Sequence, residues 1–498
     1  MPGTIYSSAE IQELERNAFA AGVNNEELMR KAGAGVAGKI LAEERSPGVC
    51  IVFAGKGNNG GDAFVAALHL HAAGWQIRVR LLAPVDALSP TAAKPWHDLA
   101  PKALLQPEPI TSLPPQTRVI LLDGILGVGA RAPLHGDAQH LVGELNRLRE
   151  RFSARVYAID IPTGVTDEAV DKGSVRADVT LTITFPKTAL VRDDATDFVG
   201  RIDVVDLPEL VQRADPEAAR HRPLVSVPEN LRELAPLRHF ESHKGNYGRV
   251  GIVAGSRDYP GAARLCATAA ARAGAGLIYL YVLPEAHPLM AVSLPPEIII
   301  KTVETYASVV HERLDAVGLG PGLGHERGTE LLDLIQNFPG PMVVDADGLN
   351  LIARERLDPR SLAHPRLFTP HPGEMARLWP TEGKTRAEIV QEYVREMPVT
   401  LLLKGARTVI GQSGKALAYN STGTAGQATG GSGDVLTGVC TALLGRKLTP
   451  YDAARLGAWL CGRASELAIG EQSEESMLPT DTIAFLGCAY QDLRGQRR

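Results

Sequence analysis

The sequence predicts an α/β protein made of two tandem domains. Three observations predict it. The 498 residues exceed what one hydrophobic core keeps growing to fill. Short aliphatic and β-branched runs alternate with helix-spaced segments in two separate series. A proline-rich, charged stretch in which the apolar rhythm fails parts the two series. With 44% hydrophobic residues, 22% charged residues and 50 glycines, the chain is too apolar for disorder and suits a protein rich in tight turns.

In the first series the β-rich runs are 49–54, 77–82, 119–122, 156–159 and 179–185, and segments such as 63–71 and 141–151 carry helical spacing. The alternation predicts a Rossmann-like doubly wound sheet over residues 1–209. Pro208, Pro216, Pro223, Pro228 and Pro236 then stand among charged residues, which predicts a linker over 210–238 with one short helix. The second series, 250–254, 277–282, 316–319, 342–344, 367–369 and 400–403, places a second α/β domain over 239–498. The two domains are not copies, since the glycine loop comes early in the first and near the end of the second.

A net charge of -5 spread over this length supplies no basic field, which excludes nucleic acid as a partner. Cys50, Cys266, Cys440, Cys461 and Cys488 form no Cys-x-x-Cys pair and read as reduced core residues. Glu10, Glu13, Glu15 and Arg16 are incompatible with a secretory signal, and no apolar run reaches spanning length. The expectation is a cytoplasmic protein with no membrane partner.

The first glycine loop follows the strand that ends at Ala54 and reads Gly55-Lys56-Gly57-Asn58-Asn59-Gly60-Gly61-Asp62. Backbone amides at such a strand-to-helix turn suit a phosphate. Gly55, Gly57 and Gly60 also satisfy the pattern of a dinucleotide-binding oxidoreductase, but the next strand ends Leu81-Leu82-Ala83-Pro84, without the acid that would hold a ribose. A tight turn with no ligand is the plainer alternative. Two later strands end in Asp123-Gly124, before Gly127-Val128-Gly129-Ala130-Arg131-Ala132-Pro133, and in Asp160-Ile161-Pro162-Thr163-Gly164. Strand C-terminal ends converge in a parallel sheet, so Asn59, Asp123 and Asp160 are expected to share one site. For Asp123, helix capping is the competing reading.

These pieces, in this order, resemble the NAD(P)H-hydrate epimerase family. The resemblance runs over about 11–207 and takes in Leu28-Met29-Arg30-Lys31-Ala32-Gly33 and Phe185-Pro186-Lys187. It implies that the hydrated nicotinamide nucleotide is held by Asn58, Asn59, Gly60, Gly61 and Asp62, by Gly127, Val128, Gly129, Ala130, Arg131, Ala132 and Pro133, and by Asp160. It also implies a potassium ion on Asn59, Asp123 and Thr163, oxygen donors of the kind a hard cation takes. Asp160 would be the acid/base for inversion at the hydrated ring carbon. Ala63 stands where the family usually has glycine and Thr163 where it has serine; threonine keeps the hydroxyl.

The densest motif is Asn420-Ser421-Thr422-Gly423-Thr424-Ala425-Gly426-Gln427-Ala428-Thr429-Gly430-Gly431-Ser432-Gly433-Asp434, followed by the apolar segment 435–444. Its glycines let successive amides point into a cavity at a helix N-terminus, where they stabilise charge on a transferring phosphoryl group. Asp434 opens the helix beside them, placed to take a proton from an attacking hydroxyl. A glycine linker with an N-capping aspartate is the alternative.

This loop is similar to the G-x-G-D signature of ribokinase-like enzymes and, more closely, to the ADP-dependent NAD(P)H-hydrate dehydratases. Thr424-Ala425 and Gln427 depart from the family at the front of the loop only. Gly255-Ser256, Gly320-Pro321-Gly322, Asp345-Ala346-Asp347-Gly348, Thr369-Pro370-His371-Pro372-Gly373-Glu374 and Lys404-Gly405-Ala406-Arg407-Thr408 fall in the family's order. The resemblance implies a ribokinase-like α/β/α domain. In it Ala262, Gly322, His371 and Asp434 contact the hydrated dinucleotide, and Lys404, Gly405, Ala406, Arg407, Thr408 and Gly433 hold the adenosine nucleotide. Asp345 and Asp347 read as turn caps as readily as magnesium ligands.

Together the two resemblances imply a bifunctional repair enzyme. It would interconvert the R and S forms of NADH hydrate and NADPH hydrate, then dehydrate the S form with ADP and Mg2+, giving AMP and phosphate. A homo-oligomer is implied by the family. Two other classes compete: a kinase of a small alcohol with a regulatory N-terminal module, and a nucleotide sensor without turnover.

Overall fold

A computed structural model describes residues 2–110, 113, 117–324 and 326–496. The chain forms two compact units, Met1–Val227 and Pro228–Arg498.

The first unit is built on seven strands: β1 (Val49–Ala54), β2 (Gln76–Leu81), β3 (Ala103–Leu105), β4 (Val119–Gly124), β5 (Arg155–Ile159), β6 (Val179–Ile183) and β7 (Arg201–Val205). They lie in the order β3-β2-β1-β4-β5-β6-β7 and every pairing is parallel. β1 and β4 are buried along their whole length, as strands covered on both faces must be. Residues alternate between two cores. Cys50, Val52 and Ala54 join Val36, Ile40, Phe64 and Trp96 on one side, while Val49, Ile51 and Phe53 join Leu141, Leu145 and Leu148 on the other. The strand order reverses between β1 and β4, and there the C-terminal ends of the strands open a crevice.

The segment 210–238 is folded rather than a tether. Helices Pro208–Val211 and Pro216–His221 and the short β8 (Leu224–Ser226), bridged to Thr4, belong to the first unit, and the helix Pro228–Leu231 opens the second. Leu210, Ala214, Ala219, Val225, Val227 and Leu231 are buried. Three of the prolines that suggested a linker, Pro208, Pro216 and Pro228, start helices instead. Pro208 and Pro216 sit in the first helical turn, where a missing amide proton costs nothing.

The strands of the second unit are β9 (Arg249–Val253), β10 (Leu277–Val282), β11 (Ile298–Thr302), β12 (Ala316–Leu319), β13 (Met342–Val344), β14 (Arg366–Phe368), β15 (Thr400–Leu403), β16 (Val409–Gly411) and β17 (Ala418–Asn420). Their order is β11-β10-β9-β12-β13-β14-β15-β16-β17, parallel from β11 to β15 and antiparallel beyond. Helix Ser432–Gly445 is buried from Val435 onward and packs on β12. A methyl at Gly318 would stand 2.2 Å from Thr441 Oγ1, so the helix lies directly on that strand. Helices Pro260–Arg272, Pro450–Ala468 and Pro479–Leu493 pack around it, and Gly328–Asn337, Ala346–Glu355 and Pro372–Leu378 form a second group. Among the described residues, no helix is long and apolar enough to cross a membrane.

Candidate active sites

In the first unit, helix Asn58–Ala72 starts at Gly57, which offers no side-chain cap. Its first amides are left for a ligand, unlike those of Ser8–Ala20 or Pro90–Leu99, which are capped by Ser7 and Ser89. Beside it lies a cavity of about 470 Å3 lined by Asn58, Asn59, Asp62, Gly127, Val128, Gly129, Ala130 and Asp160. The structure thus gathers both glycine loops and the Asp160 strand end into one crevice. Gly60 and Gly61 are buried behind the loop, and Arg131, Ala132 and Pro133 are not part of the cavity wall. Ala63 turns its methyl away from the cavity: a methyl on Gly124 of β4 would stand 2.6 Å from Ala63 Cβ, so this departure from the family lies in the helix–sheet contact.

Asp123 is fully buried. One oxygen accepts from Thr163 N at 2.8 Å; the other accepts from Thr163 Oγ1 at 2.8 Å and from Ile125 N at 3.2 Å. Burial pushes its carboxyl up to about 6, against the pull of those hydrogen bonds. The Leu126 carbonyl accepts from Asn59 Nδ2 at 3.1 Å and from Thr163 Oγ1 at 3.4 Å, so Asn59, Asp123 and Thr163 converge on one point. A buried carboxylate among neutral oxygen donors fits a monovalent cation.

Asp160 takes a left-handed φ of 68° at the end of β5 and accepts from Ile183 N at 3.0 Å. The buried Lys187 ammonium pairs with it and also donates to Ile183 O at 2.9 Å and Thr182 Oγ1 at 3.2 Å. Thr184, likewise at positive φ, lines the same cavity, and its buried Oγ1 has no hydrogen-bond partner among the described residues. Two non-glycine residues in this conformation at adjacent strand ends mark a strained, functional edge. Burial, with the Asp160 charge next, holds the Asp62 carboxyl well above the usual carboxylate range, and the same two causes raise Glu15. Sequence reasoning gave no role to Lys187, Thr184 or Glu15.

In the second unit, helix Ser432–Gly445 starts at Gly431, again without a side-chain cap and with φ 99°, a value that glycine adopts without strain. The front of the loop is fixed by Asn420 Nδ2 on Thr422 O at 2.9 Å and by Gly423 N on Glu466 Oε1 at 2.9 Å. Asp434 sits in the helix's first turn, and no described residue bonds to its carboxylate. Burial and the Asp345 charge push it up to about 6, opposed by Lys404.

Neighbouring strand ends bring the remaining residues together. A methyl at Gly322 would stand 2.9 Å from Ala262 Cβ, one at Gly320 would stand 1.8 Å from Asp345 O, and one at Gly433 would stand 3.2 Å from Lys404 Nζ. Lys404 N donates to Pro370 O at 2.9 Å, which sets the Lys404 turn beside His371. His371 caps its helix: Nδ1 accepts from Gly373 N at 2.9 Å and Glu374 N at 3.3 Å. Gly405 and Ala406 are exposed, whereas Arg407 points inward, donating to Asn420 O at 3.4 Å and Ser421 O at 3.3 Å. Burial pushes Arg407 down to about 10, and its side chain braces the start of the glycine loop. Asp345, Thr437 and Arg386, whose guanidinium a methyl at Gly405 would meet at 2.3 Å, complete the surroundings.

Comparison with known proteins agrees with this geometry. Residues 250–486 match the family model described as NAD(P)H-hydrate dehydratase, and residues 25–189 match that of the YjeF-related protein N-terminus. The bifunctional NAD(P)H-hydrate repair enzyme Nnr of Moorella thermoacetica is 34% identical, covering 89% of this chain and 87% of its own. The Escherichia coli protein of that name is 32% identical over 98% of this chain and 96% of its own. A Bacillus subtilis ADP/ATP-dependent NAD(P)H-hydrate dehydratase, co-crystallised with ATP and Mg2+, is 30% identical over 54% of this chain and 97% of that one, with a TM-score of 0.49. By its identity to the two full-length relatives the chain belongs to the family of bifunctional NAD(P)H-hydrate repair enzymes.

Proposed function

We propose that the first unit interconverts the two epimers of NAD(P)H hydrate and that the second dehydrates the S epimer at the expense of ADP, giving AMP and phosphate. The observation that carries this reading is the pairing, in each unit, of an uncapped helix N-terminus with a carboxylate, Asp160 in one and Asp434 in the other.

In the second unit Asp434 takes the proton of the ring hydroxyl as its oxygen attacks the β-phosphorus of ADP, and AMP leaves. The amides at Gly431–Gly433, with Lys404, take up the charge on the transferring group. Phosphate then departs from the ring with loss of a neighbouring carbon-bound proton, restoring the dihydronicotinamide. Asp345 spends both oxygens on Lys404 and Thr437, and Asp347 accepts from Gly324 N at 2.9 Å. Magnesium would be held chiefly by the nucleotide phosphates, with Asp345 and Asp347 as the nearby carboxylates, and would supply charge neutralisation there. Lys404, Gly405, Ala406, Arg407, Thr408 and Gly433 form the nucleotide side, and Ala262, Gly322 and His371 the substrate side.

In the first unit Asn58 to Asp62, Gly127 to Ala130 and Asp160 receive the same substrate. Arg131, Ala132 and Pro133 would take part through movement of the second glycine loop. Asn59, Asp123 and Thr163 would hold potassium, which would neutralise the buried Asp123 charge and fix the two loops to each other. The free cysteines fit a cytoplasmic setting.

The test is stoichiometry with pure S epimer. One phosphate and one AMP should appear per NADH restored. A phosphorylated nucleotide that accumulates without recovery of NADH would favour a small-molecule kinase.

A further inference from the structure

Inversion at the hydrated ring carbon sets a chemical requirement. The hydroxyl there sits on carbon next to the ring nitrogen, so its carbon–oxygen bond breaks as the nitrogen lone pair forms a carbon–nitrogen double bond. The departing oxygen needs a proton, and the water that re-adds to the other face must lose one. An acid and a base on different walls of the cavity meet both needs. Asp160, held in a buried ion pair by Lys187, serves the second but is poorly suited to the first.

We propose that Glu15 is the proton donor of the epimerase site. It lies on helix Ser8–Ala20, a different element from the strand end that carries Asp160, and it lines the cavity along with Ile11, Gln12 and Phe19 from the same helix. Gln12 Nε2 donates to Val128 O at 3.2 Å, which fixes this helix to the second glycine loop. No described residue hydrogen-bonds to the Glu15 carboxyl, although it is half-buried. Lys187, the cation whose charge favours its ionised form, is committed to Asp160, Thr182 and Ile183. The other charged groups of the cavity are Lys56, Asp62 and Asp160. Burial and the Asp160 charge favour the protonated form of Glu15.

The step balances. Glu15 gives its proton to the leaving hydroxyl, which departs as water and leaves a ring iminium cation facing the Asp160 carboxylate. Water adds from the opposite face, its proton passes to Asp160, and exchange with solvent resets both carboxyls.

This inference rests on the epimerase reading above, and the experiment separates the two. Epimerisation by the full-length chain is followed from pH 6 to 9 with R-enriched NADH hydrate, for wild type and the Glu15→Gln, Glu15→Asp, Asp62→Asn and Asp160→Asn variants. Thermal unfolding of the first unit, which should not change in Glu15→Gln, reports an intact fold, and the dehydratase rate on pure S epimer confirms the enzyme concentration. The expected result is a kcat about 100-fold lower in Glu15→Gln, a KM within about threefold, loss of the alkaline limb of the wild-type pH profile, and partial recovery in Glu15→Asp. An unchanged kcat and profile in Glu15→Gln overturns the assignment, as does loss of the alkaline limb in Asp62→Asn instead. Full activity in Asp160→Asn with a slow Glu15→Gln leaves the donor standing and removes the base, and a wild type that does not epimerise removes both.

Discussion

Lys404 Nζ lies 2.7 Å from Asp345 Oδ1, and the other oxygen of Asp345 accepts from Thr437 Oγ1 at 2.7 Å. The pair ties the end of β15 to the end of β13 and to the second turn of the glycine-loop helix. It also places a negative charge close enough to raise Asp434. Asp345 thus holds Lys404 in place and acts on the Asp434 carboxyl.

Asp345→Asn releases Lys404 and removes that charge. The KM for ADP should rise about three- to tenfold, and the acid limb of the dehydratase profile, set near pH 6 by Asp434, should move to lower pH. Steady-state rates between pH 5 and 8 check this; an unmoved acid limb would show that Asp345 does not act on Asp434.

Asp434→Asn should lower dehydratase kcat by about 100- to 1,000-fold and stabilise the fold. The folded carboxyl, at about 6, sits above its unfolded value of about 4, so between those values the folded state binds more protons and stability falls as pH rises. The penalty is absent below about pH 4 and complete above about pH 7, where it amounts to roughly 3 kcal/mol. Thermal unfolding of variant and wild type should coincide at pH 4 and separate at pH 7.5 in favour of the variant. A variant less stable at pH 7.5 would contradict the buried, unpaired state of Asp434.

Much of this was legible in the sequence because glycines and strand-end acids mark backbone geometry directly. The long apolar strands, both glycine loops and the placing of Asn59 and Asp160 on one cavity followed from spacing, whereas Asp123 is fully buried and lies outside the cavity wall. Strands β3, β8, β16 and β17, of three residues each, were missed, as were β7 and β11, which polar residues interrupt, Asp203 in one and Lys301 in the other. Lys187, Glu15 and Arg386 escaped notice for a different reason: each reaches its site from an element outside the motif it serves. Asp345 was readable as a cap, but its bonds to Lys404 and Thr437 are long-range facts of the fold. The prolines of 210–238 misled because a helix-starting proline and a linker proline look alike in sequence.

Asp123→Asn removes the one charge in the proposed potassium site. Exchanging potassium for tetramethylammonium should slow epimerisation by the wild type and leave the variant's lower rate unchanged. Equal responses of the two proteins would place the cation elsewhere.

Gly318→Ala inserts a methyl where Thr441 Oγ1 stands 2.2 Å away, and that hydroxyl donates to Thr437 O at 2.7 Å within a buried helix. A loss of about 1–3 kcal/mol is expected, with slower dehydratase turnover as the helix carrying Asp434 is displaced. Thr441→Ala should restore part of that stability in the double variant; no recovery would mean that the clash is not what destabilises the chain.

The most direct measurement is absorbance of the reduced nicotinamide after mixing the full-length protein with an epimeric mixture of NADH hydrate, magnesium and ADP. Wild type should restore all of the NADH, Asp160→Asn only the share present as S epimer, and Asp434→Asn none. Full recovery without nucleotide, or none by the wild type, would contradict the account.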